Sequence, residues 1–334
     1  MKIHYISCHS VLEYDEVKLL TELGHDVFSN GAYLDPKGHV TLPRPGIDDA
    51  VKWDKMVKLA TENPKTKLPP EMIEPFDVII VMHTPEVITN NWENIKHKRV
   101  IWRTIGQSTP NVENKLAQAR KEGLQIIRYS PKEENIKNYI GGDAMIRFYK
   151  DPDIYHGWVG DTDEVVNFTQ SLKGRGAFVH YDEIMGSIIG FNSMIYGTGN
   201  NDLGRFNGGE VSYNKMLEVL KRARCFVYSG TWPASYTLSF IEAMMLGIPV
   251  IAFSKKIAHC SQFEPIDFYE VDEIIKDGVN GYICDSVQDM RDKINTLTKN
   301  YKLAQKISTY GRKTAVKLFG KKKIAEQWRE FLKG

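Results

Sequence analysis

The 334-residue sequence has no apolar run approaching the ~20 residues a membrane span needs. Its start, MKIHYISCHS, lacks the apolar core and small-residue cleavage site of a secretory leader and reads as a first strand, so a cytoplasmic location is expected. Cysteine is scarce. Cys8, Cys225, Cys260 and Cys284 lie far apart and form no C-x-x-C pair, which reads as small buried hydrophobes in a reducing compartment. Charge of one sign is missing too: a net charge of +2 neither demands nor excludes an anionic partner. The first strand-end loop, Cys8-His9-Ser10, has no G-x-G-x-x-G, which argues against a nicotinamide enzyme. Internal repeats and low-complexity segments are absent as well.

What the chain does have is α/β rhythm, over a length that suits two domains of ~150 residues each. A strand from Lys2 to Ser7, a helix from Val11 to Leu23 ended by Gly24, and a strand from Asp26 to Ser29 open a Rossmann-like domain. A Pro-, Gly- and Lys-rich insertion, 31–75, interrupts it and is a candidate for acceptor recognition. Strands at Asp77–Met82, Arg99–Arg103 and Leu124–Tyr129 follow, with Ser130 as a cap and Pro131 at the first position of the next helix. His83 and the loop Arg103–Ser108, which includes Gln107, end neighbouring strands where a substrate is met. The turn-rich stretch 150–160 reads as a hinge, with domains at 1–155 and 156–334. Two D-x-D triplets, Asp151–Asp153 and Asp161–Asp163, fall in this linker and not at a strand end, so no metal is expected.

The second half is organised around Tyr228–Phe253, YSGTWPASYTLSFIEAMMLGIPVIAF. A strand ends at Tyr228, a loop leads into a helix from about Tyr236 to Leu246, Gly247 stops the helix, and Val250–Phe253 is a buried strand. This stretch resembles the nucleotide-sugar site of GT-B fold glycosyltransferases, family 4 above all, in its Glu242, Ala243, Gly247, Pro249, Val250, Ile251 and Ala252. The resemblance implies two Rossmann-like doubly wound domains facing each other across a cleft, with the last helix packing back on the first domain. It implies that Glu242 accepts hydrogen bonds from the ribose hydroxyls of a UDP- or GDP-sugar donor, a task suited to an acceptor-only group with two oxygens. The family's first glutamate falls on Ala234, and its Gly-Phe-Gly on Ser235, Tyr236 and Thr237, followed by Leu238. Its G-R-x-x-x-x-K-G falls on Gln170 and Arg175-Gly176, with Lys173 in the same loop; these cations are expected to hold the donor diphosphate. Gly197 ends the next strand, and Glu210, Val211 and Ser212, before the helix Tyr213–Arg222, are expected at the nucleobase.

These readings point to a glycosyltransferase (hexosyl or pentosyl transfer) that carries a sugar from a nucleoside-diphosphate sugar to a hydroxyl acceptor, with retention and without metal. Arg175, Lys173, His83 and Gln107 are its expected catalytic residues. The acceptor is a glycan, a lipid or a small molecule. The alternative is a viral-type enzyme acting on hydroxymethylated bases in DNA, with Lys55, Lys58, Lys65, Lys67, Lys96, Lys98 and Arg99 meeting phosphates. A sugar-nucleotide epimerase would need a carboxylate cluster that Ala234 does not supply, whereas Ala234 and Gln170 together would suit a catalytically inactive nucleotide-sugar-binding module.

Overall fold

A computed structural model describes residues 1–29, 53–64, 66–106, 108–258 and 267–334. The expectations for residues 31–52 of the insertion, and for Lys65, Gln107 and Cys260, lie outside the described residues. The chain divides into two compact units: Met1–Phe148 with Ile324–Gly334, and Tyr149–Lys323.

The first unit holds six parallel strands: β1 (Lys2–Ile6), β2 (Asp26–Ser29), β3 (Val78–Met82), β4 (Arg99–Arg103), β5 (Gln125–Arg128) and β6 (Ala144–Met145), in the order β2-β1-β3-β4-β5-β6. Every residue of β3, VIIVM, is buried, as a parallel strand covered on both faces requires. Helices Ser10–Glu22, Glu86–Ile95 and Pro110–Lys121 return the chain between strands. Thr109 caps the last of these by accepting from Val112 N at 3.4 Å, and Pro110 takes its first turn. Ser130 caps as the sequence suggests, in a capping box with Glu133, but over a short 3-10 turn, Pro131–Asn135. From Ile324 onward the C-terminal helix (Lys321–Lys333) groups with this unit; Trp328 is buried, and Arg99 donates to the carbonyls of Phe331 and Leu332.

The second unit repeats the plan with β7 (Val165–Phe168), β8 (Ser193–Tyr196), β9 (Asn207–Gly209), β10 (Cys225–Tyr228), β11 (Val250–Phe253) and β12 (Tyr282–Cys284), ordered β12-β11-β10-β7-β8-β9. The direction of winding reverses between β1 and β3 in one sheet and between β7 and β10 in the other, and doubly wound sheets bind ligands at such points. Helix Leu238–Leu246 is apolar nearly all round and buried from Phe240 to Leu246, with helix Tyr301–Phe319 packed on it. Gly311 lets the latter helix lie close to the turn before β12: a Cβ there would stand 2.9 Å from Asn280 O. Gly247, at φ 101°, ends the buried helix in the left-handed conformation that glycine adopts without strain.

One expected element is different. The single helix expected after Gly176 begins only at Tyr181, because Gly176 (φ 50°) and His180 (φ 56°) both turn left-handed and break the path into a one-turn helix, a 3-10 turn and the helix Tyr181–Ile188.

Candidate functional site

The loops after β7 and β10 are stitched together at the reversal point of the second sheet. Asn167 donates to Val227 O at 2.8 Å, the hydroxyls of Thr169 and Ser229 meet at 2.7 Å, and an Arg175 guanidinium nitrogen donates to Thr231 Oγ1 at 3.1 Å. Arg175 is half-buried and has no ion-pair partner among the described residues. Burial holds its pKa below the ordinary value, which is the cost of keeping a cation where no carboxylate neutralises it. Asn200 ties the same loop from beneath, accepting from Leu172 N and donating to the carbonyls of Thr169 and Gly197. Gly197 (φ 136°) is required there, since a Cβ would stand 2.7 Å from Thr169 O.

Around this core the expected residues separate into those with exposed chemistry and those consumed by packing. Gln170 and Gly197 flank the β7 loop, and Val211 and Ser212 precede the helix after β9. Ser212 caps that helix, accepting from Lys215 N at 3.3 Å. Lys173 is half exposed and lies 3.8 Å from Asp202. Ser235 is buried, its carbonyl accepting from Glu270 N, and Tyr236 packs edge-on against Phe319 at 5.3 Å, so its ring belongs to the core. Thr237 and Leu238 open the buried helix, and Thr237 Oγ1 meets Ser239 Oγ at 3.0 Å.

Glu242 is the most constrained of them. Its Oε1 accepts from Tyr155 at 2.9 Å and pairs with Lys150 at 2.8 Å, and all three side chains are buried. Neither partner stood out in the sequence. Lys150 is itself anchored, its N donating to Phe319 O. Arg312 holds the neighbouring turn by donating to the carbonyls of Pro152, Tyr155 and Met245. The carboxylate is thereby oriented before any ligand arrives.

In the first unit, His83 sits at the end of β3, beside the β1/β3 reversal, at φ 75°; burial lowers its pKa. Arg103 is not a ligand-facing group. It is fully buried, with Nε 2.9 Å and Nη2 2.7 Å from Glu16 Oε1, and stacks 4.5 Å over Phe148. Thr104 and Ser108 spend their hydroxyls on Glu133, at 2.8 and 2.6 Å, and burial raises the pKa of Glu133. The cations considered for nucleic acid divide: Lys55, Lys58 and Lys67 are exposed, Lys96 pairs with Glu93 and Glu122, Lys98 with Glu74, and Arg99 is spent on carbonyls. Asp151 pairs with Lys321 and Asp161 with Arg222, and among the described residues no group of three His, Cys, Asp or Glu is placed to hold a metal ion.

Two sheets of this topology, each reversing beneath a ligand-facing set of loops, define the GT-B class of fold. The family model for glycosyl transferases group 1 matches residues 205–314, which lie within the second unit. A poly(ribitol-phosphate) alpha-N-acetylglucosaminyltransferase of Staphylococcus aureus (strain COL) is 34% identical over 93 residues, a match spanning 27% of this chain and 16% of the relative. Among solved structures, Anabaena Alr3699/HepE in complex with UDP-glucose superimposes with a TM-score of 0.68 at 12% identity, covering 100% of this chain and 99% of that one. An alpha-glucosyltransferase in complex with UDP and a 13-mer DNA does so with a TM-score of 0.63 at 11% identity, covering 100% of both chains.

Proposed function

We propose that the protein transfers a sugar from a nucleoside-diphosphate sugar, of the UDP or GDP kind, to a hydroxyl acceptor, with retention of configuration and without a metal ion. The observation that carries this reading is Arg175, a half-buried cation at the β7/β10 reversal with no ion-pair partner among the described residues. A leaving diphosphate is the anion that such a group neutralises, and a guanidinium held by Thr231 pays little reorganisation as charge develops. Backbone N–H groups at the start of helix Leu238–Leu246 add to that stabilisation. Glu242, fixed by Lys150 and Tyr155, would receive the ribose diol. His83, kept neutral near pH 7 by burial, would serve on the acceptor side as a hydrogen-bonding group and not as a fixed charge.

A glycan, lipid or small-molecule hydroxyl is the acceptor we favour over modified DNA, because Lys96, Lys98 and Arg99 are engaged locally and do not offer a free row of cations. The fold likeness to a DNA-bound glucosyltransferase does not alter this at 11% identity.

The test is release of nucleotide from UDP-glucose, UDP-N-acetylglucosamine and GDP-mannose without acceptor, with and without EDTA, alongside calorimetric binding of each. One donor is expected to bind and turn over slowly, with EDTA making no difference. Glu242→Gln, which keeps the shape, should weaken that donor by about tenfold or more. Because it also leaves Lys150 buried without its counter-charge, its stability must be measured in parallel. Absence of binding by every donor would end this reading, and retention of the protein on DNA in a salt-sensitive manner would move the acceptor to nucleic acid.

A further inference from the structure

Residues 299–323 hold nine of the chain's 44 Lys and Arg and none of its 42 Asp and Glu, so the rest of the chain carries a net −7. Most of this stretch is the helix Tyr301–Phe319. Ala304, Ile307, Gly311, Ala315 and Phe319 belong to its buried face. Lys302, Lys306, Lys313 and Lys317 are all exposed. Their spacings of 4, 7 and 4 residues place them within about 60° of one another around an axis that turns about 100° per residue. The result is a row of four ammonium groups along one side of an unbroken helix roughly 28 Å long.

Two other cations of the stretch serve the fold. Arg312 donates to the carbonyls of Pro152, Tyr155 and Met245, and Lys321 pairs with Asp151 at 2.9 Å. The four lysines of the row have no ion-pair partner among the described residues. Helix stability does not explain them. Like charges four residues apart repel, Lys302 with Lys306 and Lys313 with Lys317 are two such pairs, and the helix has no acidic residue to relieve them. Apolar side chains edge the row: Tyr310 is 44% and Val316 38% exposed, and at about 100° per residue they fall on opposite sides of it.

We propose that this face of helix Tyr301–Phe319 docks the protein on the surface of an anionic lipid bilayer. The lysines reach the headgroup phosphates on their flexible stems, and Tyr310 and Val316 rest at the headgroup boundary. The contact is peripheral, because the helix's apolar face is already packed on helix Leu238–Leu246 and none of it is left to insert. With a net −7 on the rest of the chain, this face is the one that a negative surface attracts. A nucleic acid fits it less well: the planar fork of arginine suits phosphate recognition best, and the row contains none. The docking does not depend on what the donor site holds.

The test is flotation of the full chain with vesicles of phosphatidylcholine alone and of equimolar phosphatidylcholine and phosphatidylglycerol, at low and at physiological salt. The wild type should partition onto the mixed vesicles only, and less as salt rises. Lys302→Gln, Lys306→Gln, Lys313→Gln and Lys317→Gln together keep helix propensity and remove the repulsion, so the thermal midpoint should hold or rise. Partition should fall about fivefold for each lysine removed, and about a hundredfold or more for all four. If the fourfold variant does not fold, Lys302→Gln with Lys317→Gln should still lower it about twentyfold. Tyr310→Ser should weaken partition about threefold at either salt. Failure of the wild type to bind the mixed vesicles, equal binding to neutral ones, or a partition that the lysine variants leave unchanged overturns the proposal. So does a random-sequence DNA duplex that binds the wild type more tightly than the mixed vesicles and releases the lysine variants, which would make the row a nucleic-acid face.

Discussion

His4, on β1 of the first unit, and His180, in the second, hold their rings alike. Nδ1 meets a backbone carbonyl, of Met72 at 3.0 Å and of Ser229 at 2.6 Å, and Nε2 has no hydrogen-bond partner among the described residues. Their surroundings differ. His4 is stacked 4.8 Å from Phe76 and tilted 5.3 Å from Phe28, so its ring lies among aromatic side chains, and its burial pushes its pKa down to about 3. His180 lines a cavity beside an arginine. The arginines repeat the contrast: Arg103 is spent on Glu16 beneath Phe148, whereas Arg175 has no counter-ion among the described residues. Two sheets of one plan thus use the same residue types differently. Among the described residues, the ends of β4 and β5 in the first unit close on themselves through Arg103, Thr104 and Ser108, while the ends of β7 and β10 leave charge unspent.

The largest expected effect tests the buried arginine. Arg103→Ala leaves Glu16 and its Tyr5 hydrogen bond in a dry core without the countercharge, and should cost about 3–5 kcal/mol in urea unfolding. Unchanged stability with lost acceptor use would return Arg103 to the site and break the contrast.

Next in size is the acid response of His4. Its folded pKa, about 3, lies below the unfolded 6.5, so between those values the unfolded chain takes up a proton that the folded chain refuses. Stability therefore falls as pH drops from 6.5 towards 3 and levels off below. The share from this residue between pH 6.5 and 5 is about 2 kcal/mol. His4→Phe should flatten the profile by that amount over that window, whatever it costs at pH 7.5. An unchanged slope would mean that the ring is already accessible to protons in the folded state.

Much of the fold was legible in the residues because its signals are local. Runs such as Arg99–Arg103, Ser193–Tyr196 and Val250–Phe253 are strands with the bounds the sequence suggests, and Ser212 and Gly247 punctuate their helices as their chemistry dictates. Glu242 stood out for the same reason, as one acidic residue among apolar neighbours, whereas Arg175 was marked by the resemblance to a known phosphate loop. What no local signal carried is pairing across the chain: Tyr155 reaches Glu242 over 87 residues, and Glu16 reaches Arg103 over the same span. A strand-end arginine looks the same whether a distant carboxylate claims it or not. His180 escaped notice because a left-handed histidine inside a helical pattern leaves no mark in composition; Gly176, four residues earlier, was the available hint.

The last comparison separates the two cations of one loop and ends on the smallest effect. Arg175 is half-buried and hydrogen-bonded to Thr231, so its contact with a diphosphate forms away from bulk water. Lys173 is half exposed, and its nearest partner is Asp202 at 3.8 Å. A charge-assisted hydrogen bond lost from a desolvated site is worth ~1.5–3 kcal/mol, so Arg175→Ala should weaken the bare nucleoside diphosphate about tenfold to a hundredfold. Arg175→Lys should recover only part of that, because an ammonium lacks the bidentate fork. An exposed lysine contributes ~0–1 kcal/mol, and Lys173→Ala should shift the same Kd by less than about threefold, an effect that fades as salt is raised. Equal losses for the two alanine variants would mean that burial does not decide which cation the ligand uses, and the distinction between spent and unspent charge would lose its force.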